Sequence, residues 1–227
     1  MNSNKSAENR RVAFYGGTFD PPHNGHLTIA RKLIDLFALD EFVFIPAFHG
    51  PHKKNRKPTP AFHRFAMLSL ATNDEPKISV STVELDAPEM PFTFATQMRL
   101  KDESNGAEIF FVIGADSWQE ITTWREWETV LTQTNIIVVT RPDYEIGFSH
   151  VTKEIEKRIV DLRNNNRKEN NKRQTADNNQ KIYITDAVNL DISATEIRRK
   201  ICASEDDWRK LVPDEVAKYV EKYELYI

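Results

Sequence analysis

The chain has 227 residues, enough for one α/β domain with a sizeable core, and its single cysteine, Cys202, excludes an intramolecular disulfide. Its 31 basic and 34 acidic residues leave a net charge of -3, so no global field gathers nucleic acid or an anionic membrane. No apolar run reaches the length of a membrane span, and Met1–Ser6 lacks the apolar centre of a secretory signal, so the expected compartment is the cytoplasm.

The first strand candidate is Arg11–Tyr15. Gly16-Gly17-Thr18-Phe19-Asp20-Pro21-Pro22-His23-Asn24-Gly25-His26 follows it and leads into a helix at 25–37, with its period at Ala30, Leu33, Ile34 and Phe37. Strand, glycine-rich turn and helix aim backbone N–H groups and the positive end of a helix dipole at one spot, which suits a phosphate. His23 and His26 beside it can donate hydrogen bonds to phosphate oxygens without a permanent full charge.

Glu41–Pro46 is the second strand candidate. Between Glu41 and Asp74 there is no acidic residue, whereas Lys53, Lys54, Arg56, Lys57 and Arg64 all fall there. A basic surface loop is the plain reading; a mobile cationic flap over substrate phosphates is the functional one. A helix at 61–73, a strand at Ile78–Leu85 and a helix at 93–103 come next. The strand Glu108–Gly114 then runs into Gly114-Ala115-Asp116-Ser117. A helix at 117–131 carries Trp118, Trp124 and Trp127, of which at most one is expected to stack on a ligand ring.

The strand Asn135–Thr140 precedes a helix at 151–163 with a stripe at Val151, Ile155, Ile159 and Leu162. Arg163–Lys181 is rich in Asn and nearly devoid of apolar residues, which predicts a polar surface insertion. The strand Lys181–Ala187 follows. Ile192-Ser193-Ala194-Thr195-Glu196-Ile197-Arg198 then opens a helix in which Ser193 and Glu196 have capping-box spacing. Arg198 offers a planar fork that fits a phosphate bidentately. Pro213 is placed to start a last helix, Asp214–Lys222.

Several strands are continuous apolar runs, as in a parallel sheet buried on both faces. Their alternation with helices predicts an α/β fold, a doubly wound parallel sheet with C-terminal helices over 192–227, the whole chain forming one domain. With strands ordered 3-2-1-4-5, the crevice opens where strands 1 and 4 diverge. The Gly16–His26 turn and the turn at Asp116 and Ser117 are then neighbours, the latter within reach of a ribose or a base edge. A rival reading takes His23-x-x-His26 with Asp20, and His49-x-x-His52, as zinc ligands of a hydrolase. Neither pair has the adjacent Glu of a helical metallohydrolase motif. A catalytically silent nucleotide-binding module is a third reading.

The two segments Gly16–His26 and Ile192–Arg198 resemble the two signatures of the nucleotidylyltransferase superfamily. Within it the chain is most similar to the bacterial nicotinate-nucleotide adenylyltransferases, through Ile45-Pro46-Ala47, Pro51-His52-Lys53, Arg64–Leu68, Gly114-Ala115-Asp116-Ser117, Trp124, Thr140-Arg141 and the ending Val212–Tyr226. Pantetheine-phosphate adenylyltransferases share both signatures but lack such a tail. The resemblance implies a Rossmann-like fold, ATP and nicotinate mononucleotide as substrates, and magnesium arriving with ATP; assembly into a homo-oligomer is compatible with it.

The resemblance implies His23, His26 and Arg198 as the catalytic residues, with no protein-held metal. ATP would be bound by Gly16, Gly17, Thr18 and Phe19 with the two histidines. Gly114, Asp116 and Ser117 would hold the adenosine, and Ile192, Ser193, Thr195 and Arg198 the outer phosphates. Lys53, Thr93, Trp124 and Arg141 are the residues implied for the mononucleotide. Backbone N–H groups around Thr123–Glu126, expected to open a helix, would favour the carboxylate of the acid form over the amide, and Arg125 is the cation of that segment. The chain departs from the pattern at Ala194, at Ala95 in place of an acid, and in the Asn-rich insertion.

Overall fold

The computed structural model describes residues 10–48, 57–86, 92–140, 146–163, 180–188 and 192–227. Among these residues the strands are β1 (Arg11–Gly17), β2 (Glu41–Pro46), β3 (Ile78–Val80), β4 (Glu108–Gly114), β5 (Asn135–Val139), β6 (Ile159–Asp161) and β7 (Ile182–Thr185). They form one sheet ordered β3-β2-β1-β4-β5-β7-β6, and every pairing is parallel. The expected order 3-2-1-4-5 is therefore present, extended by two strands beyond β5.

The alternation of side chains along these strands fills two cores, one on each face. Val12, Phe14, Val43, Ile45, Phe111, Ile113, Ile136 and Val138 lie in one. Ala13, Phe42, Phe44, Phe110, Val112, Ile137 and Val139 lie in the other, under Leu27, Ala30, Leu33 and Ile34 of α1 (Asn24–Phe37). This two-sided burial is why the strands read as continuous apolar runs. The expected stripe of α1 is thus the face that meets the sheet. The flanking helices include α2 (Ala61–Ala71) and α3 (Thr93–Glu103). A third apolar cluster joins Met67 of α2 to Ile197 of α7 (Ala194–Cys202), Trp208, and Val216 and Val220 of α8 (Asp214–Lys222). It fixes the C-terminal helices beside the carboxyl edge of the sheet.

Three expected elements differ. The strand expected over Ile78–Leu85 ends at Val80, because Ser81 and Thr82 turn the chain locally: Val83 N–H donates to Ser81 Oγ, and Leu85 N–H and Asp86 N–H donate to Thr82 O. The helix expected over 117–131 is broken into α4 (Ala115–Gln119), a 3-10 turn at Ile121–Thr123 and α5 (Trp127–Gln133). Thr123 Oγ1 donates to Glu120 O at 2.7 Å, and Glu126 takes a left-handed φ of 54° before α5 begins.

The helix expected over 151–163 is one turn, α6 (Lys153–Glu156), capped by Thr152 and followed by β6. Its stripe does not lie on one face: Val151, Ile155 and Ile159 pack in the first core, while Leu162 packs in the second. The β-branched pair Ile159–Val160 completes the sheet at the edge of β7, with Ile159 beside Ile182. Most of the expected polar insertion, 164–179, lies outside the described residues. Its flanks are anchored: Arg163 pairs with Asp161, and Lys181 N–H donates to Asn135 Oδ1 at 2.9 Å.

Candidate functional site at the carboxyl edge of the sheet

The register of β1 sets Tyr15 beside Val112 of β4, so the turns after these two strands are neighbours at the sheet's carboxyl edge. The glycine-rich turn is drawn over this edge by Phe19, whose left-handed φ of 50° folds its ring into the core. Phe19 therefore has its backbone, not its buried ring, to offer a ligand. His23 caps α1 and is buried; His26 is one turn on and half-buried. The two imidazoles stack with centroids 3.7 Å apart. Gly25 is required here, because a Cβ on it would come within 2.9 Å of the His23 ring.

His23 N–H donates to His26 Nδ1 at 3.1 Å. That bond makes Nδ1 the acceptor, so neutral His26 carries its proton on Nε2. Stacked rings turn their faces to each other rather than two lone pairs to one ion, which argues against the zinc reading of this pair. Asp20, the third ligand of that reading, is committed elsewhere: Oδ1 accepts from Tyr226 O–H at 2.7 Å and Oδ2 from Thr59 N–H at 3.4 Å. His49 and His52 lie outside the described residues.

The second segment reaches the first. Ser193 caps α7 by accepting from Glu196 N–H at 3.2 Å. This half of the expected capping box sets the helix so that Arg198 crosses to the glycine-rich turn. Arg198 Nη1 donates to Asp20 O at 2.6 Å, and Nη2 donates to Thr195 Oγ1 at 3.1 Å. Ile192 packs beside Gly25. Thr195, Arg198 and Tyr226 also line one cavity with Arg199, Cys202 and Ile227. Cys202 is exposed.

On the other side, Gly114 ends β4 and Asp116 folds back over it, so that a Cβ at that position would meet Asp116 Oδ1 at 2.6 Å and turn that side chain aside. Asp116 is exposed and Ser117 half-buried at the start of α4. Trp118 is buried, its indole N–H given to Gly147 O, whereas Trp124 and Trp127 pack partly buried against the first core. Thr93 begins α3. Lys53 and Arg141 lie outside the described residues.

Arg64 corrects the reading of the basic stretch. It is fully buried and is no part of a flap. Its guanidinium donates to Thr18 O at 2.6 Å, Ala47 O at 2.6 Å and Thr59 O at 2.8 Å, tying the glycine-rich turn to the end of β2 and to the start of α2. Burial lowers its affinity for the proton, and the charge of Asp20 works against that. Composition could show a cation at 64 but not that four carbonyls, with Phe48 O at 3.4 Å the fourth, surround it. Tyr226 was equally hidden: its hydroxyl meets Asp20 across 206 positions, and burial holds its proton well above the usual tyrosine range.

Glu84 is a second residue the sequence did not single out. Burial pushes its carboxyl from 4.5 up to about 7, although the Thr96 hydroxyl, the Phe48 backbone and the Arg64 charge favour the anion. The folded value lies above the unfolded one, so the native state holds a proton that the unfolded chain releases. Stability is full below about 4.5 and is lost as pH rises through about 7. Glu84→Gln is expected to flatten that dependence and to be more stable than the parent at pH 8 by up to about 3 kcal/mol. Urea unfolding at pH 5 and pH 8 checks it; parallel pH profiles of the two proteins would contradict it.

The family model for cytidylyltransferase-like proteins matches residues 14–200. A probable nicotinate-nucleotide adenylyltransferase of Mycolicibacterium gilvum is 34% identical over 211 residues, covering 93% of this chain and 94% of that protein. A protein of the same name from Symbiobacterium thermophilum is 33% identical over 218 residues, covering 96% and 95%. The structure of a Plasmodium falciparum nicotinic acid mononucleotide adenylyltransferase complexed with NaAD superposes with a TM-score of 0.71 at 21% identity, over 96% of this chain and 97% of that one. That last likeness concerns the fold.

Proposed function

This chain belongs to the cytidylyltransferase-like family, and on that premise we propose that it transfers AMP from ATP to nicotinate mononucleotide, forming nicotinate adenine dinucleotide and pyrophosphate for NAD biosynthesis. The relatives that are about a third identical over nearly its whole length carry the name of that activity. The observation that carries the reading is the meeting of Arg198 with the Asp20 carbonyl beside the stacked His23–His26 pair. Two segments that are each suited to phosphate thereby converge on one turn.

In this mechanism the phosphate of the mononucleotide attacks the α-phosphorus of ATP in line, and pyrophosphate leaves. The nucleophile is already an anion, so no general base is needed; positioning and charge stabilisation supply the rate. His23 and His26 face the charge that develops at the α-phosphorus, with His26 donating from Nε2. Ser193, Thr195 and Arg198 hold the outer phosphates, the leaving side. Arg198 reaches them by exchanging its bond to the Asp20 carbonyl for phosphate oxygens. Gly16, Gly17 and Thr18 present backbone to the triphosphate, while Gly114, Asp116 and Ser117 take the adenosine. Thr93 and Trp124, with Lys53 and Arg141, take the mononucleotide.

Among the described residues no group of three His, Cys, Asp or Glu surrounds a common point. A magnesium ion arriving with ATP would be held mainly by phosphate oxygens and water, and would neutralise phosphate charge. No helix among the described residues is long and apolar enough to cross a membrane.

The reading is tested by offering the protein ATP with nicotinate mononucleotide or with phosphopantetheine and separating the products. The dinucleotide is expected from the first and no adenylylated product from the second. Adenylylation of phosphopantetheine alone, or hydrolysis of ATP with neither acceptor adenylylated, would overturn it.

A further inference from the structure

Asp20 lies inside the glycine-rich turn and is 5% exposed. Its carboxylate accepts from Tyr226 O–H at 2.7 Å and from Thr59 N–H at 3.4 Å, while its carbonyl accepts from Arg198 Nη1 at 2.6 Å. A buried carboxylate costs free energy wherever it lacks donors, and Tyr226 supplies the shorter of these two bonds to it. The Thr59 side chain hydrogen-bonds the same Tyr226 hydroxyl. Burial and the neighbouring Asp20 charge hold the proton on that hydroxyl, so it remains a donor.

The segment after α8 is shaped to deliver it. α8 stops at Lys222; Leu225 N–H then donates to Val220 O at 3.0 Å, and Glu224 and Tyr226 take left-handed φ of 50° and 70°. A bulky aromatic residue stays in that region when its surroundings hold it there. Leu225 and Tyr226 pack against the cluster that joins α2, α7 and α8. A phenylalanine ring would serve that packing equally well, whereas the hydroxyl serves Asp20. Tyr226 also borders the cavity lined by Thr195 and Arg198, on the side assigned to the outer phosphates.

We propose that Tyr226 is a positioning residue for ATP: through Asp20 it fixes the glycine-rich turn and the carbonyl on which Arg198 rests before the outer phosphates arrive. The proposal rests on the adenylyltransferase reading above for the place of the triphosphate. When Arg198 exchanges the Asp20 carbonyl for phosphate oxygens, the bonds to the carboxylate keep the turn in place. A turn fixed in advance spends less binding free energy on ordering. The turn and Arg198 meet the triphosphate in the ground state as well as in the transition state, so the loss of Tyr226 falls on ATP binding more than on turnover. The residues assigned to the mononucleotide belong to other elements, Thr93 to α3 and Trp124 to the segment after β4.

The test is calorimetric titration with ATP and magnesium, together with kcat and KM for nicotinate mononucleotide, for the parent and Tyr226→Phe, each also in an Asp20→Ser background. Tyr226→Phe is expected to weaken ATP roughly five- to twentyfold, the scale of one hydrogen bond to a charged group, with kcat within about threefold of the parent. KM for the mononucleotide should stay within about twofold. Asp20→Ser removes the acceptor, so adding Tyr226→Phe to it should change ATP affinity less than about twofold. A purely structural anchor would lower the melting temperature without separating ATP from the mononucleotide. Unchanged ATP affinity in Tyr226→Phe, equal loss for both substrates, or an undiminished further loss in the Asp20→Ser background would overturn the proposal. The first two outcomes are read whether or not Asp20→Ser folds. A parent that binds ATP yet adenylylates no mononucleotide would overturn the adenylyltransferase reading instead.

Discussion

Replacing His26 by alanine is expected to cut turnover by roughly 100- to 1000-fold, the scale of losing one preorganised donor to developing charge. The argument is geometric. The His23 N–H occupies Nδ1 of His26, and the stacked His23 ring and the edge of Phe19 fix its plane, with centroids 3.7 and 4.9 Å away. Nε2–H is then the donor that acts on the α-phosphoryl oxygens, held without reorganisation. Because the donor matches charge that appears only in the transition state, kcat should fall far more than KM for ATP rises. The fold should survive, since His26 is half-buried and its loss costs the N-cap of α1 about 1 kcal/mol. Steady-state kinetics with a thermal melt decide the matter. Turnover within tenfold of the parent would remove His26 from the mechanism.

Arg64→Leu is expected to destabilise the protein by about 3–5 kcal/mol, the scale of breaking a buried charged network. The leucine fills part of the volume but removes the donor that the Thr18, Ala47 and Thr59 carbonyls share, the bond to Ala47 being fully buried. Arg64→Lys should recover little, because an ammonium on a flexible stem cannot reproduce the guanidinium's span over several separate carbonyls. Thr18 belongs to the glycine-rich turn, so the variant that remains folded should also bind ATP more weakly. Urea unfolding reads the effect as a lower midpoint at unchanged slope. A loss under 1 kcal/mol in Arg64→Leu would show that the network matters less than its burial implies.

Much of the fold was legible because burial writes itself into the strands. Phe42–Ile45, Ile109–Ile113 and Ile136–Val139 are apolar on both faces, and their alternation with helices leaves few architectures open. The misread helix at 151–163 has a cause that spacing could not reveal. Val151, Ile155, Ile159 and Leu162 have helical spacing, yet they divide between two cores, and spacing along a chain cannot tell one buried face from two. Within the site, the glycine-rich turn and the Ser193 cap are local devices and could be read from neighbouring residues. Arg64, Asp20 and Tyr226 could not: their partners lie up to 206 positions away, and a lone Arg or Tyr looks the same in a loop as in a keystone. Glu84 was invisible for a related reason, since its proton affinity is set by burial beside Thr96, Phe48 and Arg64 rather than by its own sequence.

The central claim is that one cleft takes both substrates and joins them. Its most direct test is pyrophosphate release from ATP by the purified protein, measured with and without nicotinate mononucleotide. One pyrophosphate per dinucleotide formed, and none when the mononucleotide is withheld, is the expected result. Release of pyrophosphate or phosphate from ATP alone at a comparable rate, or no release with both substrates present, would contradict it.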